Sequence, residues 1–297
     1  MPQRLRLGLS SSAFIYLMPR EIVECMGPMR VLDDRQNKIM IDFTRRMMDA
    51  INSSDVAALE CYHSMIWDSD KVLEPILESQ NIEFWSVHAP YGRLLDSSSP
   101  DPDIRDAAFK ACCSGINVAN RLGAKVVVVH PGSKSDYEMP HFERLKLVPE
   151  VMAKVADYAA EYDIKIAVEP LPNDEVGCTL EEVLWILDEI DRPNAGVNFD
   201  VNHLFPAVAI PGMIKKAGKR IFSTHISDQD DHERHWLPFE GKLDWGAVLE
   251  AFIEIGYQGP LIYETHIKNV QTPRQAVQLV VDNYNRLIKL PVGQSIR

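Results

Sequence analysis

The 297-residue sequence has few cysteines and no long apolar run. The five cysteines are odd in number and form no CxxC pair, which is typical of a reduced intracellular protein rather than a disulfide framework. No window is long and apolar enough to cross a bilayer, and the short basic start lacks the apolar stretch of a signal peptide. We therefore expect a cytoplasmic protein that has no membrane partner.

Signals for phosphate and nucleic-acid recognition are also missing. No predicted strand is followed by a GxGxxG loop or a P-loop, so neither kind of nucleotide site is indicated. The formal net charge is −12, and the most basic segment, IKKAGKR at 214–220, is equally typical of a solvated helix face. Because proteins that grip phosphate backbones are usually basic, we expect no nucleic-acid partner.

Apolar segments rich in β-forming residues alternate with helical patterns along the chain. Several consist almost entirely of Val, Ile and Phe, as parallel strands covered on both faces do. The predicted strands are 5–10, 56–62, 82–89, 125–130, 164–169, 195–200, 221–227 and 260–265. Repeated strand–helix units predict an α/β fold, a (β/α)₈ TIM barrel in a single domain over 1–297, with an open doubly wound sheet as the alternative.

Amphipathic segments between the strands predict helices. They cover 37–54, 102–124, 179–190, 244–257 and 272–288. Thr179 with Glu182 forms a T-x-x-E capping box, Asp244 is a predicted cap, and Thr272 precedes a proline at the first helical position. Segment 13–36 is predicted to be a long first loop over the barrel mouth, and 290–297 a tail.

Acidic or imidazole side chains stand at or near the ends of six successive predicted strands. In a TIM barrel these ends meet at one face, where the chemistry takes place. Carboxylates and imidazoles converging there are typical of a divalent-metal site. The set is His88, His130, Glu169, Asp200, His203, His225 and Glu264, and the segment after strand 7 adds Glu233 and His235.

Each of these residues taken alone has a simpler interpretation. Glu169 ends a buried run, which is costly for a carboxylate, yet a structural salt bridge would satisfy it as well as a metal would. His88 and His130 are compatible with hydrogen-bonded rim histidines. His63 and Trp67 would line the pocket or pack at its rim. His141 and His266 are expected at the surface or behind the residues that contact a ligand, and Cys112 and Cys113 inside a helix.

Several motifs resemble the xylose isomerase-like barrel superfamily, which joins sugar isomerases and epimerases to endonuclease IV. They are EPLPNDE (169–175), FDVNH (199–203), HISD (225–228) followed by EGKLDW (240–245), and GYQGPLIYET (256–265). The resemblance to the ketose 3-epimerase branch implies one metal held by Glu169, Asp200, His225 and Glu264. It also implies that His203 contacts the substrate, and that Glu175 either contacts the substrate or lies behind the residues that do.

Endonuclease IV uses the same four positions and five more, in a trinuclear zinc site. The matching residues are His88, His130, His203, Glu233 and His235, with Glu233 where that family has Asp. The resemblance therefore implies that these residues bind substrate or further metals. The epimerase branch also carries an Arg shortly after the strand-7 His, and Asp231 stands at that spacing here.

Our hypothesis is metal-assisted proton transfer next to a carbonyl. A divalent ion, preferably Mn²⁺ but also Mg²⁺, Co²⁺ or Zn²⁺, would bind a sugar's carbonyl and hydroxyl oxygens and stabilise the enediolate. Glu169 and Glu264 are the predicted catalytic residues, one removing the proton and the other returning it. This describes an isomerase or epimerase of ketoses or sugar phosphates, in a chain compatible with a homo-oligomer.

Two alternatives use the same residues. An endonuclease IV-like zinc phosphodiesterase would hold three metals and cleave DNA. A lyase or dehydratase acting on keto-sugars or inositols would begin with the same proton abstraction and end in elimination.

Overall fold

Eight parallel strands close in sequence order into a barrel, in which β1 (Leu7–Ser10) also pairs with β8 (Leu261–Tyr263). The computed structural model describes residues 5–23, 33–62, 82–134, 136–172 and 174–291. The other strands are β2 (Ala58–Tyr62), β3 (Glu83–His88), β4 (Val126–Val129), β5 (Lys165–Val168), β6 (Ala195–Asp200) and β7 (Ile221–Ile226). The predicted (β/α)₈ barrel is confirmed. The open-sheet alternative is wrong, since it would leave β1 and β8 apart.

Helices surround the barrel. They are α1 (Arg20–Val23), α2 (Asp34–Asn52), α3 (Pro102–Leu122), α4 (His141–Leu145), α5 (Val148–Ala160), α6 (Leu180–Ile190), α7 (Ile210–Ala217), α8 (Trp245–Glu254) and α9 (Pro273–Leu287). The predicted helices correspond to α2, α3, α6, α8 and α9. Three further helices, α4, α5 and α7, begin without a side-chain cap, so the N-cap signal is absent from their sequence, although a proline stands in the first turn of α5 and of α7.

The cap of α6 differs from the expected capping box. Thr179 Oγ1 accepts the N–H of Glu182 at 3.1 Å, as expected. The Glu182 carboxylate does not return to Thr179; it accepts the N–H of Gly177 at 2.8 Å and contacts His141 Nε2 at 2.8 Å. Complete capping boxes occur instead at the starts of α2 and α9. The Glu182 carboxylate thus bonds to the preceding turn and to α4 instead of to the cap residue.

Segment 13–36, which was predicted to be a loop, contains short helices. A 3₁₀ helix covers Ser11–Leu17, α1 follows, and α2 already begins at Asp34. The Ser10 hydroxyl, which accepts the N–H of Ser12 at 3.3 Å, starts the first of these turns. Residues 24–32 of this segment, His63 and Trp67, and 292–297 of the predicted tail lie outside the described residues. The single-domain assignment stays a prediction.

Both faces of the strands are buried, so the barrel wall itself is part of the core. All four residues of β4, Val126–Val129, are buried, because their β-branched side chains pack alternately into the barrel and against the helices. The packed barrel wall fixes where each strand ends, and hence where the polar residues lie.

Among the described residues, no helix combines the length and apolar composition that crossing a membrane requires.

Candidate active site

The carboxyl ends of the strands open into one cavity of about 300 Å³. Eight of the ten predicted site residues line it: His88, His130, Glu169, Glu175, His203, Glu233, His235 and Glu264. The other two, Asp200 and His225, are inaccessible to solvent; His225 contacts the lining carboxylates of Glu169 and Glu264, and Asp200 contacts the lining imidazole of His203. The fold therefore brings all the predicted residues to one mouth. Ile15 and Met18 also line the cavity, which places part of the first connection over it, as expected.

Four side chains from the ends of β5, β6, β7 and β8 converge at the centre of the site. One donor atom from each of Glu169, Asp200, His225 and Glu264 lies within 4.8 Å of the others. His225 Nδ1 lies 3.0 Å from Glu169 Oε1, 3.1 Å from Glu264 Oε2 and 3.7 Å from Asp200 Oδ2. Three buried carboxylates thus surround a single imidazole nitrogen.

This cluster has the composition and geometry of a metal-binding site. Asp200 Oδ2 is buried and takes part in no hydrogen bond, although His203 Nδ1 lies 3.1 Å away. The other Asp200 oxygen accepts the N–H of Asn202 at 2.6 Å. A buried carboxylate oxygen is costly unless a donor or a cation satisfies it. Oxygen and imidazole donors in this ratio suit a divalent ion, so the residues present fit such a group.

The charges in the cluster shift the protonation of its members strongly. Burial disfavours ionisation of Glu169 and Glu264, but the charge of His225 outweighs it and lowers the pKa of both carboxyls. Burial likewise opposes charge on His225, but Glu264, Glu60 and Glu169 raise its pKa well above the usual value. Burial raises the pKa of Asp200. The site attracts positive charge, whether a proton on His225 or a divalent ion.

Two smaller groups flank the four-residue cluster. His88 and His130 approach Glu169 Oε2 through Nε2, at 3.1 and 3.4 Å. On the other side, His235 Nε2 and His203 Nε2 lie 3.3 and 3.9 Å from Glu233 Oε1. Each group has three donor atoms within 4.8 Å of one another, and Glu169 belongs both to the first group and to the central cluster.

The flanking histidines differ in charge. Burial lowers the pKa of His130 to about 4, so this ring is neutral near pH 7. His203 is also buried, but the charges of Asp200 and Glu169 raise its pKa to about 10. Burial raises the pKa of the half-buried Glu175, which faces the cavity nearby. The mouth therefore offers neutral and cationic hydrogen-bonding groups side by side.

The sequence reasoning missed Glu60, which lies on β2 and is inaccessible to solvent. Its Oε1 lies 2.9 Å from His225 Nε2, and its Oε2 accepts a hydrogen bond from Ser86 Oγ at 2.7 Å. One signal was available, since a carboxylate inside the otherwise apolar run VAALECY is unusual for a buried strand.

An aromatic wall on one side of the cavity was also missed. Tyr62 stacks on His88 with ring centroids 4.8 Å apart, and Tyr91 lies over His130 at 4.0 Å. Aromatic residues are common in predicted strands and turns, so neither had a distinctive sequence signal. His266 also lines the cavity, with its ring 4.3 Å from that of His235. It is therefore more central than expected, whereas His141 contacts Glu182 outside the cavity.

The segment after β7, which carries Glu233 and His235, is held by two buried polar side chains. Asn202 Oδ1 accepts the backbone N–H groups of Arg234 and His235 at 2.9 and 3.1 Å. The Asp228 carboxylate accepts hydrogen bonds from four donors of the segment: Gln229 N, Phe239 N, Leu243 N and Trp245 Nε1. These bonds fix the conformation of a segment that has no regular secondary structure.

Cationic side chains of this segment are engaged outside the cavity. Arg234 pairs with Asp230 at 2.8 Å, and Lys242 contacts Asp231 at 2.9 Å. Asp231 also accepts the N–H of Ala207 at 2.9 Å, so it binds a neighbouring turn rather than a ligand. No Lys or Arg occurs among the described residues that line the cavity.

The sequence profile of the family described as xylose isomerase-like TIM barrel matches residues 48–283 of this chain. The chain belongs to this family.

The chain is 31% identical to an uncharacterised protein of Methanocaldococcus jannaschii over 192 residues, 62% of this chain and 64% of that protein. It is 32% identical to the L-ribulose 3-epimerase of Methylomonas sp. (strain DH-1) over 44% of this chain and 45% of the relative. A probable endonuclease 4 of Thermoplasma acidophilum is 27% identical over 57% and 62%. The matched regions thus span less than two thirds of these relatives.

Several solved structures superpose on nearly the whole chain. A D-tagatose 3-epimerase-like protein gives a TM-score of 0.71 at 24% identity, covering 95% of this chain and 98% of that one. The IOLI protein, whose crystal structure contains a bound zinc atom, gives a TM-score of 0.75 at 19% identity, covering 96% and 98%. At these identities the superpositions support the fold, and the chemistry has to be argued from the residues.

Proposed function

We propose that this protein is a divalent-metal-dependent isomerase or epimerase of keto-sugars, acting by proton transfer next to the carbonyl. The observation that carries the proposal is the cluster of Glu169, Asp200, His225 and Glu264, in which a buried Asp200 oxygen has no hydrogen-bond partner. The similarity to an L-ribulose 3-epimerase and the zinc atom in the IOLI structure support the same class of chemistry.

Glu169, Asp200, His225 and Glu264 would hold the ion. When bound, the ion would polarise the substrate carbonyl and stabilise negative charge that develops on its oxygen. Glu169 and Glu264 come from β5 and β8 and approach His225 Nδ1 at 3.0 and 3.1 Å, so they bracket the centre of the cluster. One carboxylate removes the proton from the carbon beside the carbonyl, and the other returns it.

The face or carbon that receives the proton determines the product. Return to the opposite face of the same carbon inverts that centre, which is epimerisation. Return to the former carbonyl carbon, together with transfer of the neighbouring hydroxyl proton to the former carbonyl oxygen, moves the carbonyl, which is isomerisation. The two carboxylates on different strands provide for either outcome.

The remaining cavity wall suits an uncharged polyhydroxy ketone. His88, His130, His203 and Glu175 offer hydrogen-bond donors and acceptors to hydroxyl groups. Tyr62 and Tyr91 provide flat apolar surface beside them. Because the described lining has no Lys or Arg, the cationic His203 is already paired with Asp200 and Glu169, and Glu233 adds negative charge, we propose that the substrate is not phosphorylated.

Turnover of a panel of free ketoses and keto-inositols in D₂O, with Mn²⁺, Co²⁺, Mg²⁺ or Zn²⁺, tests the proposal. We expect a new isomer carrying deuterium beside the carbonyl, and no such product after chelation of the metal. An unsaturated product that has lost water would instead identify a lyase or dehydratase. If no panel member exchanges a proton under any metal, the proposal is wrong.

A second candidate, a zinc phosphodiesterase, is favoured by one specific observation. The central cluster and the His88–His130–Glu169 group share Glu169, and the His203–Glu233–His235 group lies beside them, so the mouth offers three adjacent donor sets. A trinuclear zinc site would require all three donor sets. Elemental analysis of purified protein separates the candidates: one ion per chain supports the isomerase, whereas three ions with cleavage of abasic DNA would establish the phosphodiesterase.

A further inference from the structure

Glu60 lies behind His225, on the side away from the other carboxylates. Its Oε1 lies 2.9 Å from His225 Nε2, while Glu169 and Glu264 approach Nδ1. The second Glu60 oxygen accepts a hydrogen bond from Ser86 Oγ at 2.7 Å, and both Glu60 and Ser86 are inaccessible to solvent. The imidazole is therefore held between one carboxylate at its back and the metal-type cluster at its front.

This arrangement determines which nitrogen can bind an ion. A neutral imidazole has one N–H and one lone pair, and a carboxylate accepts hydrogen bonds but does not donate them. When an ion takes the place of the proton on Nδ1, the pairing with Glu60 keeps the remaining hydrogen on Nε2. The lone pair is then on Nδ1, which faces Glu169, Asp200 and Glu264 and also lies 3.1 Å from the Asn198 amide nitrogen. With the opposite tautomer, Nδ1 would point an N–H at the place where a cation would be bound.

Packing alone does not require a carboxylate at this position. The neighbours Ala58, Leu59 and Cys61 on β2 are buried and apolar. An apolar side chain would fill the same space without the cost of desolvating a charge, and such replacements of buried ion pairs are often neutral or stabilising. A hydrogen-bonded carboxylate behind a ligating imidazole has a different effect, because it orients the ring and increases the basicity of the free nitrogen.

We propose that Glu60 is a positioning residue that fixes the His225 tautomer and thereby strengthens binding of the divalent ion. Ser86 in turn orients Glu60. The inference rests on the metal site of the proposed function and not on its substrate or reaction. It assigns a role to a strand, β2, that supplies none of the four ligands.

The test measures binding of Zn²⁺ itself, by competition with a chelating indicator, in four variants. Glu60→Leu removes the charge and the hydrogen bond, and Glu60→Gln removes the charge but keeps an acceptor of the same shape. Ser86→Ala leaves Glu60 charged but unsupported. The matched control is Glu83→Gln, the same chemical change on the adjacent strand, at an exposed residue that pairs with Arg6.

Outer-shell partners of metal-binding histidines typically change affinity by about 10–100-fold. We expect a weakening in that range for Glu60→Leu, a smaller one for Glu60→Gln and Ser86→Ala, and none for Glu83→Gln. Nitrogen NMR of histidine-labelled protein loaded with Zn²⁺ gives an independent readout. In the wild type, the nitrogen spectrum of His225 should show a hydrogen on Nε2. In Glu60→Leu, the chemical shift of the Nε2 signal should differ from that of the wild type.

The outcomes separate the inference from the proposed function. If the wild type binds Zn²⁺ and folded Glu60→Gln and Ser86→Ala bind it equally well, with the His225 signal unchanged, this inference is overturned and the metal site stands. If Asp200→Asn leaves Zn²⁺ binding unchanged, the ion is not in this cluster, and both ideas are wrong. Glu60→Gln keeps the test informative even if Glu60→Leu fails to fold.

Discussion

Trp245 donates its indole N–H to Asp228 Oδ2 at 2.9 Å, where the carboxylate is completely buried. Three backbone N–H groups of the same segment donate to the two carboxylate oxygens. One side chain thus ties the last residues of the segment, at the start of α8, to the end of β7. The intervening residues include Glu233 and His235, so their position at the mouth depends on this carboxylate.

Replacing Asp228 should therefore destabilise the protein strongly. Asp228→Ala leaves four donors without an acceptor, three of them buried and that of Phe239 partly buried, and each unsatisfied buried group costs about 1–3 kcal/mol. We expect the free energy of unfolding to fall by at least about 3 kcal/mol, measured by urea denaturation. Asp230→Asn is the matched control, because Asp230 pairs with Arg234 at the surface and should leave stability nearly unchanged. Equal effects of the two changes would contradict the role assigned to Asp228.

Gly196 on β6 should not tolerate a side chain. A Cβ there would lie 2.4 Å from Phe222 Cδ2 and 2.5 Å from the Arg220 carbonyl oxygen. We expect Gly196→Ala to lower the midpoint of thermal unfolding, at a cost of about 1–3 kcal/mol. Gly212→Ala in α7 meets no atom within 4 Å and should raise the midpoint, because Ala favours a helix by about 1 kcal/mol. A tolerated Gly196→Ala would mean that β6 and β7 are less closely packed than described.

Glu169→Gln should abolish proton transfer, because the amide cannot accept the substrate proton and is a weaker ligand. We expect deuterium exchange beside the carbonyl to fall by about 10²–10⁴-fold, the usual contribution of a general base. The measurement is single-turnover exchange in D₂O at saturating metal. Glu161→Gln, the same change at an exposed residue after α5, is the control. Full exchange in Glu169→Gln with metal bound would refute the acid–base assignment.

Phosphorylated ketoses should be poor substrates. A phosphate entering the cavity would meet the carboxylates of Glu175 and Glu233 and no Lys or Arg of the described lining, and the cationic His203 is already paired with Asp200 and Glu169. We expect kcat/KM for a ketose phosphate to be about 10-fold or more below that for the free ketose, the factor that corresponds to about 1.4 kcal/mol. Glu233→Gln should reduce the preference for the free ketose over the ketose phosphate, since it removes one repulsive charge. A higher kcat/KM for the ketose phosphate than for the free ketose would contradict the proposal that the substrate is not phosphorylated.

The eight strands were predictable from the sequence, and the structure places each within the predicted range. Val126–Val129 illustrates the reason: a run of β-branched residues favours a strand whichever neighbours it acquires. Helices with caps or strong amphipathic patterns, such as α6 and α9, were predictable in the same way. Helix α5 was missed because Leu147 at its start provides no side-chain cap.

The site was partly predictable because barrel geometry brings the strand ends together, so residues that follow strands could be grouped without coordinates. Glu60 could not be grouped in this way, since it stands within β2 rather than after it. Its contact with His225 joins residues 165 positions apart. Nothing in the local sequence of either residue encodes that distance.

The sequence by itself determined the order of strands and helices and the chemical types of the side chains at the barrel mouth, because propensity and periodicity are local properties. The tertiary structure alone decided which nitrogen of His225 faces Glu169 and which faces Glu60. It also decided that the Asp200 oxygen is buried without a hydrogen bond. These relationships arise from the registers at which eight strands close, and a difference of one residue in register would turn the same side chains to the opposite face.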